Sequence, residues 1–275
     1  MKVITLLENT ACGTHLTAAR GLSLYVETKS HNILFDMGPG PEFLRNAAAL
    51  GASIPAVDTA ILSHGHSDHG GGLSAFCEEN RQANIYLRQA ALGAYYAVLP
   101  GQDPGYIGLP TGLERFQDRF VFTGETHRLD EGILLFSGVE DDPSLRAKAP
   151  KLQEKTAGGF RPDDFAHEQH LLVEEDGRAL LLTGCGHLGI LNTLRAAQAH
   201  LGRLPDVVCG GFHLFELAPG SRDAEDLIAR TAACLAQGNT VYYTGHCTGE
   251  WAYSQLKAHL GDRLRPMTGG TVIEL

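Results

Sequence analysis

The sequence predicts an α/β fold of two half-domains, and three observations carry that prediction. Short apolar runs of strand length alternate with helical segments along most of the 275 residues. In both halves the strand runs end on glycine-rich loops that carry histidine or cysteine. The length and a 43% hydrophobic content suit one large α/β domain or two intimate halves. The expected organisation is two halves aiming their strand ends at a shared seam, in a single domain over 1–275 with no sequence repeat between the halves.

The chain opens on Met1-Lys2-Val3-Ile4-Thr5-Leu6-Leu7-Glu8-Asn9, an apolar run that meets a charge and an amide at once and reads as a first strand. Leu22–Glu27 and Asn32–Phe35 predict a hairpin across the polar turn Thr28–His31. Pro41–Leu50 predicts a helix stopped by Gly51, and Ala60–Leu62 a strand that feeds Ser63-His64-Gly65-His66-Ser67-Asp68-His69-Gly70-Gly71-Gly72. Gly72–Glu79 opens a helix and Asn84–Leu87 is a strand. Residues 88–165 are the least regular, with Pro100-Gly101-Gln102-Asp103-Pro104-Gly105-Tyr106 and a polar run, Glu140–Asp164, bearing Lys148, Lys151, Lys155 and Arg161. They are expected to be an insertion of substrate loops, with a solvated surface insertion as the competing reading. Order returns in a hairpin, His170–Glu174 and Ala179–Thr183 about Asp176-Gly177, which ends in Thr183-Gly184-Cys185-Gly186-His187. Helix Ile190–Leu201, strand Asp206–Cys209, helix Asp223–Gln237 and strand Thr240–Thr244 follow. The two strands end in Gly210-Gly211-Phe212-His213 and Gly245-His246-Cys247-Thr248-Gly249.

The formal net charge of −10 offers no general attraction to nucleic acid or anionic membrane. The start does not have the make-up of a secretory signal peptide, and no run approaches the roughly 18 apolar residues of a membrane span. The six cysteines are scattered without a disulfide-like pattern, so a cytoplasmic protein with reduced thiols is expected. The partner class is therefore a small-molecule substrate, with neither nucleic acid nor membrane, and a homo-oligomer is left open.

Three histidines and an aspartate within six positions, His64, His66, Asp68 and His69, carry the chemistry. Imidazole and carboxylate are the usual N/O ligands for zinc, iron or manganese. The adjacent glycines let the backbone fold tightly, so that side chains converge on one point. Cys185, His187, His213 and His246 each stand just past a strand in the other half. Asp36, at a strand end, is expected to brace the histidine loop rather than to ligate. His213 is a candidate general acid or substrate donor, with a satisfied buried histidine as its plain alternative. Cys247 is expected to be structural. His15, His31, His127, His200 and His259 lack motif context and are expected at the surface or in packing.

The order His64-x-His66-x-Asp68-His69 resembles the signature of the metallo-β-lactamase-fold hydrolases, and the resemblance covers most of the chain. Phe35-Asp36-Met37-Gly38 is similar to the strand-end Asp-x-Gly of that family, Thr183-Gly184-Cys185 to its Thr-Gly-Asp turn, and Tyr243-Thr244-Gly245-His246 to its final metal histidine. More narrowly, Thr183–Ile190, Gly210–Leu214 and Thr244–Gly249 resemble the branch of dihydropterin-ribofuranosylaminobenzene-phosphate synthase-like proteins. Arg20 departs from that branch, where histidine is expected.

The resemblance implies an α/β, four-layer αββα sandwich of the metallo-β-lactamase type. It also implies two divalent ions, zinc foremost, with manganese and iron as the other candidates. His64, His66 and His187 or a neighbour would hold one, and Asp68, His69 and His246 the other. Cys185 stands where relatives bridge the metals with aspartate, and either Cys185 or His187 takes over that ligation. The implied function is a metal-dependent hydrolase of a small ester or phosphoester, with a pterin-related compound among the candidate substrates and Asp68 as ligand and orienter of the nucleophile. The competing readings are a mononuclear iron dioxygenase and a non-catalytic, metal-stabilised ligand sensor.

Overall fold

The computed structural model describes residues 1–275. The chain begins with strands β1 (Lys2–Leu7), β2 (Ser23–Glu27) and β3 (Asn32–Phe35), then helix α1 (Glu42–Leu50) and β4 (Thr59–Ile61). The short helix α2 (Ser67–Gly70), α3 (Leu73–Glu79) and β5 (Asn84–Leu87) follow. Next come β6 (Tyr95–Ala97), β7 (Gly105–Tyr106), β8 (Phe120–Phe122), β9 (Thr126–Asp130), β10 (Ile133–Phe136), β11 (Leu152–Thr156) and β12 (Gly159–Pro162). The last third runs β13 (His170–Glu175), β14 (Arg178–Leu182), α4 (Ile190–Leu201), β15 (Val207–Cys209), α5 (Arg222–Leu235), β16 (Val241–Thr244), α6 (Glu250–Leu260), β17 (Leu264–Pro266) and β18 (Val272–Glu274).

The chain divides into two compact units: 1–124 with 150–169 and 268–275, and 125–149 with 170–267. In the first unit a seven-stranded sheet runs in the order β18-β1-β2-β3-β4-β5-β8. The β1–β2–β3 meander is antiparallel, with Tyr25 opposite Leu34, and the sheet turns parallel at β3–β4–β5–β8. Parallel neighbours need a crossover between them, and α1 and α3 supply it, burying Phe43, Ala47, Leu73 and Phe76 with Ile4, Leu6, Leu34, Ala60 and Ile85. Helix α1 stops where Gly51 turns to φ 74°, its N–H bonding back to Ala47 O. A smaller sheet, β12-β11-β6-β7, belongs to this unit.

The second unit holds the sheet β17-β16-β15-β14-β13-β10-β9. The β13–β14 hairpin registers Leu172 against Leu181, and β14, β15, β16 and β17 are parallel. Strand ends of a parallel run point the same way, so the loops after β14, β15 and β16 gather at one edge of this sheet. Helices α4, α5 and α6 bury Leu191, Leu194, Ile228, Leu235, Ala252 and Leu256 with Leu172, Leu181, Val208 and Tyr242. Ser221 Oγ caps α5 by accepting from Ala224 N, and Asp223 and Glu225 stand in its first turn.

Residues 88–165 are more ordered than the sequence reading expects, since β6 to β12 lie there. These strands are two to five residues long and several are polar, as in Thr126-His127-Arg128-Leu129-Asp130 and Leu152-Gln153-Glu154-Lys155-Thr156. Pairing makes them strands: β9 forms a hairpin with the next strand, β10, and β11 pairs with β6, which lies far back in the sequence. The stretch is shared between the two units rather than forming one insertion. No helix is long and apolar enough to cross a membrane.

Candidate metal centres

In the first unit β4 delivers the histidine cluster as expected. His64 and His66 stand two residues apart on the bend between β4 and α2. The helical turn Ser67–Gly70, closed by His69 N and Gly70 N on His66 O, then swings Asp68 and His69 round. The rings of His64 and His66 have centroids 4.7 Å apart, and those of His64 and His69 4.2 Å. Donor atoms of His64, His66 and Asp68 lie within 4.8 Å of one another. His64 and His69 are fully buried, and His66 nearly so.

The hydrogen bonds behind these residues fix their tautomers. Asp36 Oδ2 lies 2.6 Å from His69 Nδ1. A carboxylate only accepts, so His69 Nδ1 carries the proton and its Nε2 keeps a lone pair. Ser63 N and Oγ both donate to Asp36, each at 2.7 Å. The Ser63 hydroxyl proton is thereby used, so His64 Nδ1, 2.8 Å away, donates to Ser63 Oγ. His64 Nε2 is left as a donor to metal, as is His69 Nε2. Asp36 thus braces Ser63 and His69 while held at φ 61°, a strained conformation for a residue with a side chain.

The glycines act by close approach more than by unusual torsions. A side chain on Gly65 would collide with the backbone of Ala91, and one on Gly71 or Gly72 with the carbonyls of Pro39 and Met37. The segment after β3 runs alongside the histidine loop, with Met37 N bonded to His69 O and Gly72 N to Gly38 O.

Asp163 and His167 carry no motif, yet the structure places them here. Asp163 Oδ2 is 3.6 Å from His66 Nε2 and 3.0 Å from His167 Nε2. Gly65 N donates to His167 Nδ1, so that nitrogen is an acceptor and Nε2 bears the proton given to Asp163. Both ring nitrogens of His167 therefore have partners, Gly65 N and Asp163, and the residue ties this segment to the loop at Gly65. Burial works to raise the pKa of Asp163, but the hydrogen bonds from His167 and His66 outweigh it and hold the carboxyl well below the usual carboxylate range. The signal available in the sequence was the i, i+4 spacing of Asp163 and His167 just before β13.

In the second unit the loops after β14, β15 and β16 bring together Cys185, His187, His213, His246 and Cys247, all buried. The rings of His187 and His213 have centroids 4.5 Å apart. Donor atoms of Cys185, His213 and Cys247 lie within 4.8 Å of one another. His213 and His246 are held at φ 47° and 44°. Burial raises the Cys247 thiol, but the proximity of Cys185 and His213 and the charge of His246 hold it well below its ordinary value. Thiolate is the form that binds metal. Of the remaining histidines, His170 Nδ1 contacts Thr183 Oγ1 across the hairpin, and His31 contacts Asp58. His15, His200 and His259 are exposed and His127 half-buried, as expected of residues outside the site. The basic residues of the polar run are largely engaged: Arg161 pairs with Glu154, and Lys155 Nζ sits 5.8 Å over the ring of Tyr96.

Residues 16–189 match the family model described as the metallo-beta-lactamase superfamily. The chain is 27% identical to a 7,8-dihydropterin-6-methyl-4-(beta-D-ribofuranosyl)-aminobenzene-5'-phosphate synthase of Methanocaldococcus jannaschii, covering 100% of this chain and 96% of that protein. Among solved structures it is similar to Tm1679, a metal-dependent hydrolase of the beta-lactamase superfamily, with a TM-score of 0.83 at 25% identity over 100% of this chain and 99% of the other. The fold is shared with Zn(2+)-bound PqqB from Methylobacterium extorquens, with a TM-score of 0.59 at 14% identity over 100% of both chains.

Proposed function

The chain belongs to the metallo-β-lactamase superfamily, and from that premise we propose that it is a metal-dependent hydrolase of a small ester or phosphoester. The observation that carries the proposal is the His64–His69 cluster, in which Asp36 and Ser63 fix two imidazoles with Nε2 as the donor. That donor set, imidazole with one carboxylate, suits zinc first and manganese or iron next. When bound, a divalent cation supplies Lewis acidity and lowers the pKa of its water to near 7.

The chain's own residues do the rest. His64, His66 and His69 hold the cation. Asp68 is half-buried and the most accessible member of the cluster. As a carboxylate beside two imidazoles it accepts a proton from the nucleophilic water and orients it. Asp36 keeps His69 neutral at Nε2 through the change in charge, and His167 with Asp163 keeps the loop at Gly65 from shifting.

The substrate class follows from two supports. The synthase relative bears a pterin and a phosphate ester in its name, and the net charge of −10 disfavours polyanions such as nucleic acid. We extend to this chain only the class, a small molecule that is pterin-related or phosphorylated. Six free cysteines support a reducing, cytoplasmic setting. The test is a screen of phosphomonoesters, phosphodiesters and lactones with protein loaded with zinc or manganese. The expected result is turnover that a chelator removes, that metal restores, and that Asp68→Ala lowers by about 100-fold or more. Full activity in Asp68→Ala, with the same metal content, contradicts the reading.

A further inference from the structure

We propose that Cys185, His213 and Cys247 form a thiolate-rich zinc site within the second unit, beyond the metal held by the His64–His69 cluster. It does not need the hydrolase reading to be correct.

Two sulfurs and an imidazole nitrogen lie within 4.8 Å of one another, and all three residues are buried. Cys2His is a zinc donor set, and three protein donors leave a fourth position open. Tetrahedral zinc, with Zn–S of about 2.3 Å and Zn–N of about 2.0 Å, needs donors about 3.5–3.8 Å apart. Small side-chain adjustments reach that spacing.

His213 is 5% exposed, and neither ring nitrogen has a hydrogen bond of ordinary geometry. A buried imidazole without such a partner costs free energy, and this one is also held at a strained φ of 47°. A general acid needs a tip that reaches substrate. A ring enclosed by Cys185, Cys247, His187 and Phe215 is better placed to bind an ion than to deliver a proton outward.

The three loops that carry the donors are laced together before any ion arrives. Gly211 N bonds to Gly184 O, and Leu214 N and Phe215 N both bond to Cys247 O. Phe212 N bonds to Thr248 Oγ1, and Thr244 Oγ1 donates to Gly210 O. Gly211 lets the two cysteine loops close on each other, because a side chain there would run into Cys247 Sγ and approach Cys185 Cα. Cys247 Sγ already lies 3.3 Å from the Cys185 carbonyl oxygen. Sulfur donors and a fixed pocket select zinc over magnesium or calcium, which prefer oxygen.

The experiment is cobalt substitution of the full chain under reducing conditions, read by absorption and by metal per chain. Thiolate ligands give an intense near-ultraviolet charge-transfer band that histidine and carboxylate do not. Failure here and failure of the hydrolase reading are therefore distinguishable. The expected result is a strong band in the native chain, weakened in Cys247→Ser and His213→Asn and lost in the double variant Cys185→Ser/Cys247→Ser. Each single variant should bind less metal while the His64–His69 cluster keeps its own. A band and metal content unchanged in Cys247→Ser overturn the proposal, as does the absence of any band. A Cys185–Cys247 disulfide that persists in reductant and excludes cobalt overturns it as well. If the variants fail to fold, X-ray absorption at the zinc edge of the native chain decides. Two sulfur scatterers at about 2.3 Å support the site, and one or none overturns it.

Discussion

Asp36 Oδ2 and His69 Nδ1 are 2.6 Å apart, and both residues are fully buried. The same carboxylate accepts two hydrogen bonds from Ser63, and Ser63 in turn takes the Nδ1 proton of His64. One side chain at the end of β3 therefore sets the tautomer of two imidazoles more than 25 positions downstream. Asp36→Asn places an amide where both neighbours require acceptors. The expected outcome is metal affinity reduced about 10- to 100-fold and stability lowered by about 1–3 kcal/mol, read by calorimetric titration and urea unfolding.

His167 and His64 should behave differently despite their proximity. Both ring nitrogens of His167 are taken by Gly65 N and Asp163. His167→Gln is therefore expected to weaken binding while leaving metal per chain unchanged, whereas His64→Ala lowers the metal content. Elemental analysis of the two variants separates support from ligation.

Close packing at Gly65 makes a further prediction. An added Cβ meets the backbone of Ala91, which has no flexible end to yield. Gly65→Ala is expected to cost about 1–3 kcal/mol. Gly105→Ala, whose added carbon meets only Ala97 O at 3.8 Å, should stay within about 0.5 kcal/mol. Denaturant midpoints at constant m-value check both.

Asp163 predicts an acid limb. Its carboxyl is held well below the usual range in the folded chain, so the unfolded chain binds its proton first as pH falls. The stabilisation is fully present above the unfolded value of about 3.9 and is lost as pH drops through that value toward the folded one. Asp163→Asn should flatten the fall in stability below about pH 4 in chelated protein. A wild-type profile with the same acid slope as the variant contradicts this.

Much of the site was legible because its signals are local. The His64–His69 spacing, the strand before it and Asp36 at a strand end are all written within a few residues, and the structure keeps them together. The loops at Cys185, His213 and His246 were legible for the same reason, each following an apolar run of the kind that forms a parallel strand. Asp163 and His167 were not, because their role depends on Gly65 N, about a hundred residues away in sequence. Strands β9 and β11 were missed because their exposed, polar residues carry little periodicity, and only pairing with β10 and β6 makes them strands. The pairing of β1 with β18 is equally invisible to local pattern. The glycines were legible as tight spots, but their reason lies in Ala91, Pro39 and Met37 rather than in torsion.

The most direct measurement is metal per chain in the native protein and in His64→Ala/His66→Ala/His69→Ala, both purified without added metal and confirmed as folded by circular dichroism. The account predicts bound zinc, manganese or iron in the native chain, and in the variant a loss of that metal together with any chelator-sensitive hydrolysis. Equal metal content in the two proteins, or no metal and no uptake in the native chain, would contradict it.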